Sequence, residues 1–211
     1  MTDYSIQIAG ETLVLSPEKT IFWTKESLLI VSDMHLGKAG HFRKSGVAVP
    51  AHIHFGDLSR LGLLIDRFQP KQIAFLGDLF HSDYNIDWDY FCDWLKTYPH
   101  IQFILVKGNH DILYKIDYLN AGLELTDELK LEPFSFSHEK IESRHYNLSG
   151  HVHPSVQLRG KARQGLRLPC FYFSENHALI PAFGSFTGFV SVTPSRSDQI
   201  YVIAENQIIK V

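Results

Sequence analysis

The sequence predicts an α/β protein in which two β-sheets pack face to face and α-helices flank them. Three observations carry this. Short apolar runs, Leu28–Val31, Ile73–Leu76 and Phe103–Val106, read as strands buried on both faces. Helix-period segments separate them, and strand–helix–strand order implies parallel pairing through right-handed crossovers. After about residue 122 the pattern turns to short strands and turns, so a β-rich half follows the α/β half.

The elements follow in order. Ser5–Ala9 and Thr12–Leu15 flank Gly10-Glu11 and read as a hairpin. After Leu28–Val31, Pro50 suits a first helical turn. His54, Leu58, Leu61, Ile65 and Phe68 then recur at spacings of 4, 3, 4 and 3, the stripe of an amphipathic helix that ends near Pro70. Past Ile73–Leu76, Asp87 is placed to cap a helix carrying Trp88, Phe91 and Leu95 on one face and stopping before Pro99. Beyond Phe103–Val106 come β-like stretches at Glu132–Ser137, Tyr146–Ser149, Ser155–Arg159, Pro169–Ser174 and Ala178–Ile180. Tyr201–Ala204 and Gln207–Val211 around Glu205-Asn206 close the chain as another hairpin.

At 211 residues, 45% hydrophobic and 20% charged, the chain fits one globular domain over 1–211 and is not disordered. Its longest apolar runs have four residues, far short of the roughly 20 of a membrane helix. The N-terminal residues show no signal-peptide pattern. Two cysteines, Cys92 and Cys170, argue against a disulfide scaffold and point to the reducing cytoplasm. A net charge of −3 speaks against a nucleic-acid coat protein but not against a nucleic-acid substrate. Twelve histidines stand out, since histidine is the commonest metal ligand.

Their placement is informative. Each strand is followed at once by groups that bind metal: Ser32-Asp33-Met34-His35, then Gly77-Asp78, then Gly108-Asn109-His110-Asp111. Phe134–Ser137 leads into His138, and Tyr146–Ser149 into Gly150-His151-Val152-His153. Ligands of open α/β sheets bind beyond the carboxyl ends of strands, so five such ends would converge. In Asp33-x-His35 and His151-x-His153 an extended backbone would turn both side chains to one side. Gly77 and Gly108 would let the backbone approach a metal closely. Two carboxylates, one amide and four imidazoles suffice for two divalent ions sharing one carboxylate. An oxygen and nitrogen donor set without thiolate favours Mn²⁺, Fe or Zn²⁺. Paired ions of this kind support phosphate-ester hydrolysis.

Asp-x-His, Gly-Asp, Gly-Asn-His-Asp, His and Gly-His-x-His, in that order, resemble the calcineurin-like metallophosphoesterase superfamily. A narrower likeness runs through Asp33–Arg43, Gly46–Pro50, Gly77–Ser82, Leu168–Phe171 and Pro181–Gly188. These resemble the bacterial DNA-ligase-associated metallophosphoesterases, also described as ligase-associated DNA-damage-response endonucleases. The resemblance implies the two-sheet sandwich and a dinuclear site. Asp33, His35 and His153 would hold one ion, Asn109, His138 and His151 the other, and Asp78 would bridge them. His110 would be catalytic, with Asp111 orienting it. His138 lacks a local signature; its competitor His145 precedes its strand rather than ending one.

The chemistry implied is in-line attack by activated water on a phosphodiester, with two Mn²⁺ ions as the first choice of metal. His110 would stabilise charge or protonate the leaving oxygen. The substrate would be single-stranded or damaged DNA, with a functional association with a DNA ligase and a helicase, and no membrane. His41, Arg43 and His81 flank the motifs and could hold phosphate oxygens, or be solvated loop residues. Arg159, Lys161, Arg163 and Arg167 read as an exposed hairpin, with a phosphate-backbone track as the alternative. Phe186 could meet a base or pack in the core. Rival functions are a phosphoesterase for a small nucleotide or monoester, and a metal-free scaffold. The scaffold is disfavoured because no ligand is missing.

Overall fold

A computed structural model of the chain describes residues 2–38, 53–159 and 165–211. The expectations placed on His41, Arg43, Pro50, Lys161 and Arg163 lie outside the described residues. The first sheet runs in chain order through β1 (Tyr4–Ile8), β2 (Glu11–Ser16), β3 (Thr20–Trp23), β4 (Leu28–Val31), β5 (Gln72–Leu76), β6 (Gln102–Val106) and β7 (Leu123–Thr126). Its first four strands pair antiparallel, and β4 to β7 pair parallel. Helices α1 (Ile53–Phe68), α2 (Ile86–Lys96) and α3 (Lys115–Asn120) make the crossovers.

The second sheet comprises β8 (Leu129–Leu131), β9 (Phe134–Ser137), β10 (Tyr146–Ser149), β11 (Pro154–Arg159), β12 (Gly165–Phe173), β13 (His177–Leu179), β14 (Val190–Ser191), β15 (Gln199–Ala204) and β16 (Gln207–Lys210). The order is β14-β11-β12-β13-β10-β9-β8, with β15 joined to β12 and β16 to β15. The centre of this sheet, β9, β10 and β13, is parallel. The carboxyl ends of β9 and β10 therefore emerge side by side.

Alternation along the strands builds two cores. Leu28, Ile30, Ala74, Leu76 and Val106 face the second sheet and meet Phe134, Phe136, Leu148, Phe171 and Phe173. Trp23 is fully buried there, edge-on to Phe134 at 4.9 Å. The intervening Leu29, Val31, Phe75, Phe103 and Leu105 face the helices and meet Leu58, Leu61, Ile65, Trp88, Phe91 and Tyr118. This is why the run Leu28–Val31 is apolar at every position: each such side chain contributes roughly 1.5–3 kcal/mol when fully buried.

The two-sheet architecture with flanking helices is the expected one, and the described helices pack on the first sheet; the far face of the second carries a smaller cluster of Val156, Cys170, Ile200 and Val202. One expectation needs correction. The cap of α2 is Asn85, not Asp87: the Asn85 side chain accepts from the Asp87 N–H at 2.8 Å. Asp87 lies in the first turn, where its charge suits the helix dipole. Sequence reading passed over β3, β7, β8, β14 and α3. Of α3, six residues long, only Tyr118 is buried.

Candidate metal centre

The loops after β4, β5, β6, β9 and β10 meet at one end of the sandwich. Backbone bonds zip the first two together: Asp33 N–H to Gly77 O at 3.2 Å and His35 N–H to Asp78 O at 2.8 Å. The expected ligands are not on extended backbone. Asp33, His35, Asp78, His151 and His153 have φ of 52°, 49°, 50°, 65° and 52°, in the left-handed region. Asp and His tolerate that region better than most residues. The side chains of each D-x-H and H-x-H pair converge through these kinks, not through strand alternation.

Two groups of ligand atoms result, each within 4.8 Å: Asp33, His35 and His153, and Asp78, His138 and His151. In the first group, Asp33 Oδ1 lies 3.3 Å from His153 Nε2, which lies 3.5 Å from His35 Nε2. In the second, His138 Nε2 is 3.0 Å from His151 Nδ1 and 3.4 Å from Asp78 Oδ1. Asp78 faces both groups, since its Oδ2 is 3.8 Å from His35 Nε2.

Carbonyls fix two imidazoles. His138 Nδ1 donates to Leu76 O at 3.0 Å, and His153 Nδ1 to Gly188 O at 3.2 Å. A carbonyl only accepts, so each Nδ1 carries the proton and each Nε2 is left to point a lone pair inward. Asp33 Oδ1 is buried and has no hydrogen-bond partner, while Oδ2 accepts from Ser32 Oγ and from the His151 N–H at 2.9 Å. Acceptors facing each other at these distances need a proton or a cation between them. An oxygen and nitrogen donor set so arranged fits a divalent metal ion in each group.

Charge follows the same pattern. Burial alone would raise the Asp33 carboxyl, but His153, Ser32 and His138 together hold it below the usual carboxylate range. Burial pushes His35 down to about 3, so the imidazole is neutral at pH 7, the form that ligates metal.

The glycines serve the neighbouring ligands rather than giving a metal access to the backbone. A Cβ on Gly77, whose φ is +76°, would fall 2.5 Å from His138 Cγ and closer still to Nδ1. One on Gly108 would fall 2.5 Å from Asp78 Oδ1, and one on Gly150 2.5 Å from Asp33 Oδ2.

The remaining expected residues are placed as follows. His110 is half-exposed, its Nε2 4.0 Å from Asp78 Oδ2 and its ring stacked on His81 at 3.7 Å between centroids. The His81 Nδ1 is 3.0 Å from His35 Nδ1. Asp111 does not orient His110. Its buried carboxylate accepts the backbone N–H groups of Gly108 at 2.8 Å, Leu79 at 2.9 Å and Phe80 at 3.1 Å, tying the β5 loop to the β6 loop. Burial outweighs these bonds and pushes the Asp111 carboxyl up to about 6. Asn109 is exposed and donates from Nδ2 to Glu139 Oε1 at 2.8 Å. Arg167 lies on the exposed β11–β12 ribbon, opposite Gln157. Phe183 is core, whereas Phe186 is 38% exposed.

Two features escaped the sequence. Glu139 reaches both Asn109 and His151, with Oε1 3.8 Å from His151 Nε2. Its place directly after His138 was the available signal. The second feature is a clamp on the loop that carries Gly188. Buried Asp57 of α1 accepts from Ser185 N–H at 3.1 Å and Ser185 Oγ at 2.6 Å, and pairs with Arg60 at 3.0 Å. Arg60 bonds Phe183 O and lies 4.0 Å over the Phe183 ring. Phe183 N–H and Gly184 N–H in turn bond the carbonyls of Ser32 and Asp33.

Residues 27–174 match the family described as calcineurin-like phosphoesterase. A search of curated proteins returns no match. Among solved structures, the chain is similar to Pseudomonas putida nuclease MPE, with 31% identity, a TM-score of 0.86 and all of both chains covered. A phosphoesterase from E. coli, Yfce, aligns at 13% identity and a TM-score of 0.44, over 87% of this chain and 97% of that one.

Proposed function

This chain belongs to the calcineurin-like phosphoesterase family and is a metal-dependent phosphoester hydrolase, and on that premise we propose that it cleaves phosphodiester bonds in DNA as a repair-associated endonuclease. The observation that carries the reading is the position of Asp78, with one oxygen toward each group of ligands. That position supports two divalent ions sharing the Asp78 carboxylate. Full-length similarity to a nuclease supports the diester substrate. Asp33, His35 and His153 would hold one ion, and His138, His151 and Asn109 the other. Mn²⁺ is our choice of metal, from a donor set with no thiolate.

When bound, such ions acidify water and neutralise phosphoryl oxygens, the chemistry that diester hydrolysis requires. The chain's own residues do the rest. His138 and His153 keep their Nδ1 protons on Leu76 O and Gly188 O, and so hold the lone pairs in place. His110, half-exposed beside Asp78, would give a proton to a leaving alkoxide. His81 stacks on His110 and steadies its ring. His81, and with it His41, Arg43 and Arg163, are our candidates for phosphate contacts. We read residues 1–211 as one cytoplasmic domain acting alongside a DNA ligase and a helicase.

The test is a panel in Mn²⁺ with an alkyl diester, a monoester, and single- and double-stranded DNA. The expected result is internal cleavage of DNA that is lost on chelation and in Asp78→Asn. Strong monoester turnover without DNA cleavage would sink the endonuclease reading and leave the family intact.

A further inference from the structure

Glu139 is the one acidic side chain described here that touches two expected ligands without lying inside either group of ligand atoms. Its side chain is 56% exposed, yet its backbone is fixed: the Ser137 hydroxyl donates to the Glu139 carbonyl at 2.6 Å. Its Oε1 takes the Asn109 Nδ2–H at 2.8 Å and lies 3.8 Å from His151 Nε2. On both neighbours it meets a nitrogen and leaves the other donor atom of the side chain, Asn109 Oδ1 or His151 Nδ1, to other partners. An amide ligates through its oxygen, and the Glu139 bond commits the nitrogen, leaving Asn109 Oδ1 as the free end. The His151 ring presents Nδ1 to His138, 3.0 Å away, and Nε2 to Glu139. A carboxylate on the outer nitrogen favours a proton there and a lone pair on Nδ1, and it raises the basicity of the ring.

We infer that Glu139 is a positioning residue for the second ion alone, aligning Asn109 Oδ1 and His151 Nδ1 from outside. No contact ties it to Asp33, His35 or His153. The inference rests on the two-ion reading above.

The experiment uses the full chain, stripped of metal and titrated with Mn²⁺ by calorimetry and by electron paramagnetic resonance. Wild type takes up two ions and shows a spin-coupled pair. Glu139→Ala should bind its first ion with unchanged affinity and its second about 10- to 100-fold more weakly. At one equivalent its spectrum should be that of isolated Mn²⁺. Glu139→Gln keeps an acceptor for Asn109 but loses the charge facing His151, so it should fall between the two. Metal-free melting should be unchanged in both variants. Two wild-type affinities in Glu139→Ala would overturn the proposal. So would equal weakening of both ions together with a lower metal-free melting temperature, the mark of a purely structural role. A wild-type chain that binds a single ion would refute the two-ion reading itself, and this proposal with it.

Discussion

Gly77→Ala isolates the packing that shapes the centre. The new methyl falls 2.5 Å from His138 Cγ and 2.8 Å from Gly108 Cα, so either the ring leaves or β5 and β6 separate. Overpacking of this kind costs roughly 1–3 kcal/mol. A left-handed alanine adds about 1–2 kcal/mol, and loss of the His138–Leu76 bond about 1 kcal/mol. The combined loss is on the order of 3–6 kcal/mol, which in a chain this long lowers the melting temperature by roughly 6–24 °C. Gly10→Ala is the control: φ there is +82°, and a Cβ meets nothing within 4 Å. It carries the backbone cost alone, about 1–2 kcal/mol. Thermal melts of both variants, with and without Mn²⁺, give the difference due to His138. Calorimetric Mn²⁺ titration should show the Gly77 variant short of the ion that His138 is proposed to hold. Equal melting temperatures for the two variants, with full metal uptake by Gly77→Ala, would refute the claim that the glycine exists to admit the imidazole.

His110→Ala should keep its metal content and lose turnover of an alkyl diester by about 10²–10⁴-fold; a full rate on that substrate would remove His110 from the chemistry. Asp57→Ala orphans Ser185 and leaves Arg60 unpaired, so urea denaturation should show a loss of about 2–4 kcal/mol. Burial pushes Lys19 down to about 8, below its value in an unfolded chain. The folded state therefore resists protonation, a penalty complete below pH 8 and relieved as pH rises toward 10.5. Lys19→Met should accordingly melt higher than wild type at pH 7, with the gain shrinking in melts taken between pH 8 and 10.

The parts of this architecture legible in the sequence are those where one physical demand acts on consecutive residues. Leu28–Val31 is apolar throughout because both faces of β4 are covered, and α1 shows its stripe because only one face is. The polar residues at the ends of β4, β5, β6 and β10 announced themselves as clusters. His138 had no cluster of its own, but it ends a strand whereas His145 precedes one, and it is His138 that the fold brings to Asp78. The illegible parts depend on partners far along the chain. Asp57 meets Ser185 across 128 positions, and Asn109 meets Glu139 across 30. Asp111 was misread for the same reason: next to His110 in sequence, its carboxylate is consumed by the N–H groups of Leu79 and Phe80, 32 and 31 residues away. Adjacency in a motif does not determine which group a side chain serves.

The centre concentrates features that oppose folding. Five left-handed non-glycine residues, a buried carboxylate oxygen with no partner and imidazole nitrogens 3.0–3.5 Å apart all raise the energy of this end of the sandwich. The surroundings hold them in place: Asp111 pins the β5 and β6 loops, the Asp57–Arg60 pair holds the loop that fixes His153, and the two-sided core anchors the strands beneath. A cation in each group would remove the repulsion at once, since it binds the folded chain and has no preformed site in the unfolded one. An ion present at 100 times its Kd adds about 2.7 kcal/mol to stability by this linkage. The preorganisation that makes the site costly when empty is thus what lets binding energy go into affinity rather than into ordering the ligands.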